Sequence, residues 1–114
     1  MARIYHTHIY TMADGSHYVD AREGEARTVE SINQLRLSVQ GQVGGEPLLR
    51  SFPHRVVQMH TVGGPKRKWD AIADKVAIAQ ALRALGLAVT NLDNYVYDRD
   101  RYTKRTHMIK RETV

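Results

Sequence analysis

The sequence predicts an α+β fold, a small two-layer domain in which an antiparallel sheet carries two helices on one face. Three observations predict it. Two runs rich in β-branched and aromatic residues flank Asp14-Gly15, which is the pattern of a β-hairpin. Two later segments show helical spacing of apolar residues or a high alanine content. A strand-like segment separates them, so the order is roughly β-β-α-β-α-β, a mixture typical of this class.

The length of 114 residues predicts one domain. We expect that domain to span residues 1–101, with residues 102–114 as a basic edge strand or tail. The chain has no cysteine, which excludes disulfides and thiolate metal ligands. No apolar run is suited to a signal peptide or a membrane span, so we expect a cytoplasmic protein without membrane contact.

The hairpin is predicted from residues 2–13 and 16–22. A two-residue turn at Asp14-Gly15 would pair Met12 with His17. Alternation then places one set of side chains on a single face, which we expect to point into the core. That set is Ile4, His6, His8, Tyr10, Met12, His17, Val19 and Ala21.

The first helix is predicted to begin after Thr28, a residue type that caps helices well. Glu30 lies in its first turn, where a carboxylate suits the helix dipole. Apolar residues recur at helical spacing up to Val39, and we expect the helix to end near Gly41. Residues 44–47 then read as a loop, and residues 54–62 as the third strand.

The second helix is predicted within residues 63–87, with Pro65 in its first turn and Gly86 at its end. Its apolar residues form two stripes, whereas a surface helix needs one. One stripe is Trp69, Ile72, Val76 and Ala79, and the other is Ala71, Ile78, Leu82 and Leu85. The face of Ile78, Leu82 and Leu85 is therefore predicted either to form a homodimer or to be covered by residues 88–97.

Three consecutive cations, Lys66, Arg67 and Lys68, begin this helix. Positive charge is unfavourable there unless an anion is bound, and a phosphate fits the free N–H groups and the dipole. Residues 63–85 resemble the final helix of double-stranded RNA-binding domains, which follows a glycine-containing turn and has a lysine-rich start. The order of elements departs from that family, which starts with a helix and then three strands. The resemblance implies a shared mode of phosphate contact rather than membership. The alternative is an ordinary solvated turn.

The C-terminal segment interleaves aromatic and basic residues. Tyrosine rings can stack on bases while cations contact the backbone of a single strand. Asp98 and Asp100 favour the alternative, an edge strand protected by charge. The predicted contacts are Arg99, Arg101, Tyr102, Lys104, Arg105, Lys110 and Arg111.

Charge is concentrated in the second half of the chain. Residues 1–50 hold five Lys/Arg and six Asp/Glu, whereas residues 51–114 hold twelve and six. Polyanion binding is a common reason for such asymmetry, and solubility is the alternative. No cofactor is predicted. The only metal candidates are His6, His8 and His17, which the predicted hairpin register brings to one face.

These observations predict a small basic binding protein that is not an enzyme, since no catalytic motif is present. Its expected partner is nucleic acid. The alternative is a protein–protein adaptor or inhibitor, of the kind that phages and mobile elements encode against a host nucleoprotein complex. A histidine metal site on the hairpin is the third hypothesis.

Overall fold

The computed structural model describes residues 3–91 and the backbone of residues 95–97 and 108–110. The elements in chain order are β1 (Tyr5–Met12), β2 (His17–Glu23), α1 (Val29–Val39), α2 (Glu46–Ser51), β3 (Val56–Lys66), α3 (Lys68–Ala84), β4 (Tyr95–Tyr97) and β5 (Met108–Lys110). An antiparallel sheet has the strand order β2-β1-β3, and β4 pairs with β5 separately. The α+β class and the antiparallel sheet with its N-terminal hairpin are thus confirmed.

The hairpin turns through a three-residue loop rather than the predicted two-residue turn. The Met12 N–H donates to the Ser16 carbonyl at 2.8 Å, and the Gly15 N–H donates to the Met12 carbonyl at 2.9 Å. Gly15 has φ of 87°, which glycine adopts without a steric penalty. Asp14 fixes the loop by accepting from the Ser16 N–H at 3.0 Å. The loop therefore pairs Thr11, not Met12, with His17.

The predicted hairpin register is wrong by this one residue. Such a shift moves every β2 side chain to the opposite face of the sheet. Val19 therefore lies on the face opposite Tyr10, whose partner is Tyr18. Val19 is nevertheless fully buried, because both faces of the sheet are covered.

Helices cover both faces of the sheet, whereas the sequence predicted two helices on one face. The main core cluster consists of Tyr10, Met12, Ile32, Phe52 and Val56. It lies between the sheet and α1, with Leu48 of α2 packed against it. On the other face α3 packs on β1 and β2, and the buried Thr7 hydroxyl donates to the Ala71 carbonyl at 3.1 Å. The fold therefore has three layers, with the sheet between α1 and α3. The hairpin register explains this arrangement, because it places apolar side chains on both faces of the sheet.

Helix α1 begins as predicted. The Thr28 hydroxyl accepts from the Ser31 N–H at 3.1 Å, and the Ser31 hydroxyl accepts from the Thr28 N–H at 3.0 Å. This reciprocal capping box satisfies two N–H groups at the helix terminus. Helix α2 occupies part of the segment predicted as a loop, with Pro47 in its first turn.

Helix α3 ends where the sequence predicts. Gly86 has φ of 83°, and its N–H donates to the Arg83 carbonyl at 2.9 Å. The Leu87 N–H donates to the Leu82 carbonyl at 3.1 Å. These two bonds form a Schellman motif that satisfies the last carbonyls of the helix.

The start of α3 differs from the prediction. β3 continues through Gly63 and Pro65 to Lys66, so Pro65 lies in a strand and not in a helical turn. Residues 63–65 are accommodated by an irregularity in the pairing with β1, after which Tyr5 pairs with Lys66. Proline is tolerated at such a position because a bulge needs no ladder hydrogen bond there.

The segment after α3 returns along the outer edge of β2. Val89 forms an isolated parallel bridge with His17. Asn91 is buried against Val19. Residues 88–91 thereby connect the end of α3 to the hairpin.

Candidate nucleic-acid interface

The start of α3 combines exposed cations with a helix terminus that lacks a side-chain cap. Arg67 is the N-cap residue and Lys68 the first helical residue, and both are exposed. The Arg67 side chain makes no capping hydrogen bond, in contrast to Thr28 of α1. The first N–H groups of a helix have no intrahelical partner and carry partial positive charge. The α3 start can therefore bind a phosphate oxygen.

Lys66, the first of the three predicted cations, is turned toward the protein. Its Nζ lies 2.5 Å from Asp74 Oδ2 and donates to the Val62 carbonyl at 2.7 Å. Asp70 adds a carboxylate in the first turn of α3, where the dipole favours it. The charge of Lys66 is therefore balanced within the chain, and Arg67 and Lys68 are the cations that α3 presents outward.

A shallow depression of about 220 Å³ adjoins this helix start. Its lining residues are Arg3, Ile4, Pro65, Lys66 and Arg67. Arg3 Nε lies 3.5 Å from Glu23 Oε1, but both side chains are largely exposed. Such a surface ion pair contributes little, so Arg3 can exchange it for another anion.

Arg3 was not predicted from the sequence to belong to this site. It precedes β1, and the pairing of Tyr5 with Lys66 brings it beside Arg67. The signal that could have found it is the register between the first and third strands. That register depends on the irregularity at residues 63–65, which we did not predict from the neighbouring residues.

Lys68 is held by the neighbouring aromatic ring. Its Nζ lies 4.9 Å from the centroid of the Trp69 ring. A cation over an indole face is attracted by the ring quadrupole. Within residues 3–91 this ammonium forms no ion pair with a carboxylate.

The predicted contacts of the C-terminal segment fall largely outside the described residues. These are Arg99, Arg101, Tyr102, Lys104, Arg105 and Arg111. The backbone of Lys110 ends β5, which pairs antiparallel with β4. Their participation stays a prediction.

The predicted dimer or packing face on α3 is partly covered. Ile78 and Leu82 are half-buried, and Leu85 is 76% exposed. The chain after α3 contacts this helix through β4. Whether a second copy binds here stays a prediction.

The three candidate metal ligands are not brought together. His17 lies on the opposite face of the hairpin from His6 and His8, because the register is shifted. His6 Nδ1 is 2.7 Å from the Gly24 carbonyl, and His17 Nδ1 is 3.1 Å from the Thr11 hydroxyl. Among the described residues, no group of three His, Asp or Glu side chains is close enough to hold a metal ion.

His8 belongs instead to a buried polar network that the sequence did not reveal. Its Nδ1 lies 2.7 Å from Asp20 Oδ1, and its Nε2 accepts from the Arg27 backbone N–H at 3.4 Å. Because Nε2 accepts a hydrogen bond, Nδ1 carries a ring proton and donates it to Asp20. The Tyr10 hydroxyl donates to Asp20 Oδ2 at 3.0 Å. Burial, reinforced by the Asp20 carboxylate, raises the pKa of Tyr10.

The His8–Asp20 pair resembles an acid–base dyad in geometry, but a substrate could not reach its imidazole ring. The His8 side chain is completely buried, and both ring nitrogens are occupied. A catalytic base must reach the proton that it removes. The network is therefore structural.

No family model, curated protein or solved structure matches this chain. Similarity therefore assigns no ligand to any of these residues. Across the residues with described structure, the helices are all too short or too polar to cross a bilayer.

Proposed function

We propose that this protein is a non-enzymatic nucleic-acid-binding protein whose α3 start contacts the phosphate backbone. The observation that carries the proposal is the exposed Arg67 at the N-cap of α3, followed by Lys68. Helices usually place a hydrogen-bond acceptor at that position. A cation there is unfavourable to the free protein and becomes favourable when an anion binds.

A backbone phosphate at this position would receive two kinds of interaction. The N–H groups of the first α3 turn would donate to its oxygens, and Arg67 and Lys68 would supply charge-assisted hydrogen bonds. Arg3, across the shallow depression, would reach an adjacent phosphate. Such contacts position a protein on nucleic acid without reading the base sequence.

The C-terminal segment extends the proposed interface. Residues 99–111 contain six of the chain's seventeen Lys and Arg residues. Cations interleaved with tyrosines would add backbone contacts and stacking on unpaired bases. We therefore propose that single-stranded regions bind there and that the α3 start binds the backbone of either form.

Fluorescence anisotropy with labelled duplex and single-stranded DNA and RNA tests the proposal. The affinity should fall steeply between about 50 mM and 200 mM salt, because phosphate neutralisation releases counterions. The variant Arg67→Gln/Lys68→Gln should weaken binding about tenfold or more and reduce the salt slope by about 2.

The matched control is Arg50→Gln/Arg55→Gln. Both residues are exposed and lie outside α3, and their substitution removes the same number of positive charges. An equal loss in both variants would show that net charge alone acts, and no loss in the first would refute a role for the α3 start.

A protein partner is the second candidate, of the adaptor or inhibitor type that phages and mobile elements encode. Two observations favour it: Lys66 is already paired with Asp74, and Leu85 and Leu87 are 76% and 41% exposed at the end of α3. An apolar surface of this kind is more useful to a polypeptide than to a phosphate. Capture of a defined nucleoprotein subunit that survives nuclease treatment would support this candidate over direct nucleic-acid binding.

A further inference from the structure

The two edges of the main sheet differ in how their backbone groups are satisfied. On the β2 edge the His17 N–H donates to the Ala88 carbonyl at 2.9 Å, and the His17 carbonyl accepts from the Thr90 N–H at 2.8 Å. The side-chain amide of Asn91 bonds both the N–H and the carbonyl of Val19, at 2.9 and 2.8 Å. Residues 88–91 therefore close the first half of this edge, at His17 and Val19.

The β3 edge is closed in the same way only at its first residue. The Asn33 amide donates to the Val56 carbonyl and accepts from the Val56 N–H, both at 2.8 Å. Along an antiparallel strand the backbone groups of successive residues point alternately to the two neighbours. The even residues of β1 bond to β2, since the Met12 N–H donates to Ser16, so the odd residues face β3.

The partners of those odd β1 residues are Gln58, His60 and Val62, which therefore direct their backbone groups toward β1. Met59 and Thr61 direct theirs outward. Within residues 3–91 no hydrogen bond reaches these outward groups.

The side chains of the β3 edge do not prevent it from pairing with another strand. Residues 57–62, Val-Gln-Met-His-Thr-Val, contain no Lys, Arg, Asp, Glu or Pro. Val57 is 46% exposed, and Gln58 and His60 are exposed. Natural edge strands are usually protected by charge, proline or a bulge, because open edges pair with other chains. Here Pro65 and the pairing irregularities lie only toward the ends of β3.

We infer that β3 pairs antiparallel with β3 of a second copy of this chain, which joins the two sheets into one of six strands. The edge is self-complementary. About a two-fold axis at His60, Met59 faces the partner subunit's Thr61, and each outward N–H meets a carbonyl. The window contains no Lys, Arg, Asp or Glu, so no such charges face each other, and His60 faces the partner subunit's His60.

A second copy fits this edge better than a foreign peptide does. Peptides that add to a sheet edge are distinguished by pockets beside the strand. The depression lined by Arg3 and Pro65 lies at the end of β3, so it is not placed to receive the side chains of a peptide paired with Met59 and Thr61. Strand pairing alone forms a small interface, so we expect a reversible dimer that is populated at roughly 100 μM protein.

Sedimentation velocity over a concentration series, without nucleic acid, tests the inference. Wild type should shift from monomer to dimer. Thr61→Pro should remain monomeric, because it removes an outward N–H while leaving the bonds to β1 in place. Thr61→Val retains that N–H and should still dimerise. A wild type that stays monomeric at roughly 100 μM, or a Thr61→Pro variant that dimerises like wild type, would overturn the inference.

Hydrogen exchange on wild type provides a second test that does not depend on the folding of a variant. The amides of Met59 and Thr61 should become protected as the protein concentration rises. The His60 amide, which bonds to β1, should be protected at every concentration. If Met59 and Thr61 exchange at concentration-independent rates, β3 is not the interface.

Discussion

Removal of the Asp20 carboxylate is predicted to be among the most destabilising single changes in this protein. Asp20 accepts from His8 Nδ1 at 2.7 Å and from the Tyr10 hydroxyl at 3.0 Å. Both donors belong to residues that are completely buried. Asp20→Ala would leave each of them without its carboxylate partner in a site that is largely shielded from water, since the Asp20 side chain is itself only 13% exposed.

The magnitude follows from the cost of an unsatisfied buried donor, about 1–3 kcal/mol each. Two donors predict a loss of about 3 kcal/mol, since some relaxation of the rings is expected. Small domains are stable by only about 5–15 kcal/mol, so this is a large fraction of the total. The midpoint of thermal unfolding should fall by roughly 10 °C.

Urea denaturation followed by circular dichroism measures this loss. Arg27→Gln is the matched control, because Arg27 Nη1 is 3.7 Å from Asp20 and its backbone N–H to His8 is retained. It should cost no more than about 1 kcal/mol. A loss below about 1 kcal/mol for Asp20→Ala, or an equal loss for Arg27→Gln, would refute the account of two orphaned donors.

Three further changes probe other parts of the fold. Asn91→Ala removes both hydrogen bonds to Val19 and should cost about 2 kcal/mol in urea denaturation; a loss within 0.5 kcal/mol would show that water replaces the amide. Gly45→Ala places a Cβ against the Val39 carbonyl and should cost about 2 kcal/mol, whereas Gly64→Ala, with open space, should be within about 0.5 kcal/mol of wild type. Tyr10→Phe tests the raised pKa of Tyr10. Above about pH 10 the unfolded chain loses this proton while the folded chain keeps it, so the stability advantage of wild type over Tyr10→Phe should shrink by about 1.4 kcal/mol per pH unit; a constant difference would contradict it.

Local signals predicted the parts of the fold that depend on neighbouring residues. Thr28 caps α1 and Gly86 ends α3, because the cap chemistry involves only residues within one turn. The hairpin at Asp14-Gly15 was predicted for the same reason. Its register was not, because two-residue and three-residue loops share the same dipeptide and differ by where the Ser16 N–H bonds.

The features of the fold that depend on contacts between residues far apart in the chain could not be predicted from local sequence patterns. Pro65 fits a first helical turn by local preference, but β1 holds residues 63–66 in the sheet. Asp74 lies eight residues from Lys66, and only the strand-to-helix corner brings the two together. The sequence thus predicted cations near the start of this helix, but the helix begins at Lys68 rather than at Pro65, and the division into a paired Lys66 and an outward Arg67 required the structure.

The dimer through β3 and the binding site at α3, if both proposals hold, predict a preferred length of duplex. A two-fold axis perpendicular to the joined sheet keeps both α3 helices on one face. His60 pairs with Ile9 and Lys66 with Tyr5, so the bulge leaves Lys66 four strand spacings from the axis and Arg67 about five. At about 3.3 Å per spacing, the two helix starts are separated by roughly 33 Å.

One turn of a duplex is about 34–36 Å, so both starts could contact one face of the same duplex. Wild type should then bind a duplex of about 20 base pairs at least tenfold more tightly than one of about 10, because the second contact becomes intramolecular. The monomeric Thr61→Pro variant should bind the longer duplex only slightly more tightly, because that duplex merely offers more phosphate positions to a single helix start. Anisotropy with the two lengths measures both ratios. If the ratio of affinities for the two duplex lengths is the same in wild type and Thr61→Pro, dimerisation through β3 does not contribute to nucleic-acid binding. The binding proposal would still stand, because the affinity of a single helix start does not depend on the β3 edge.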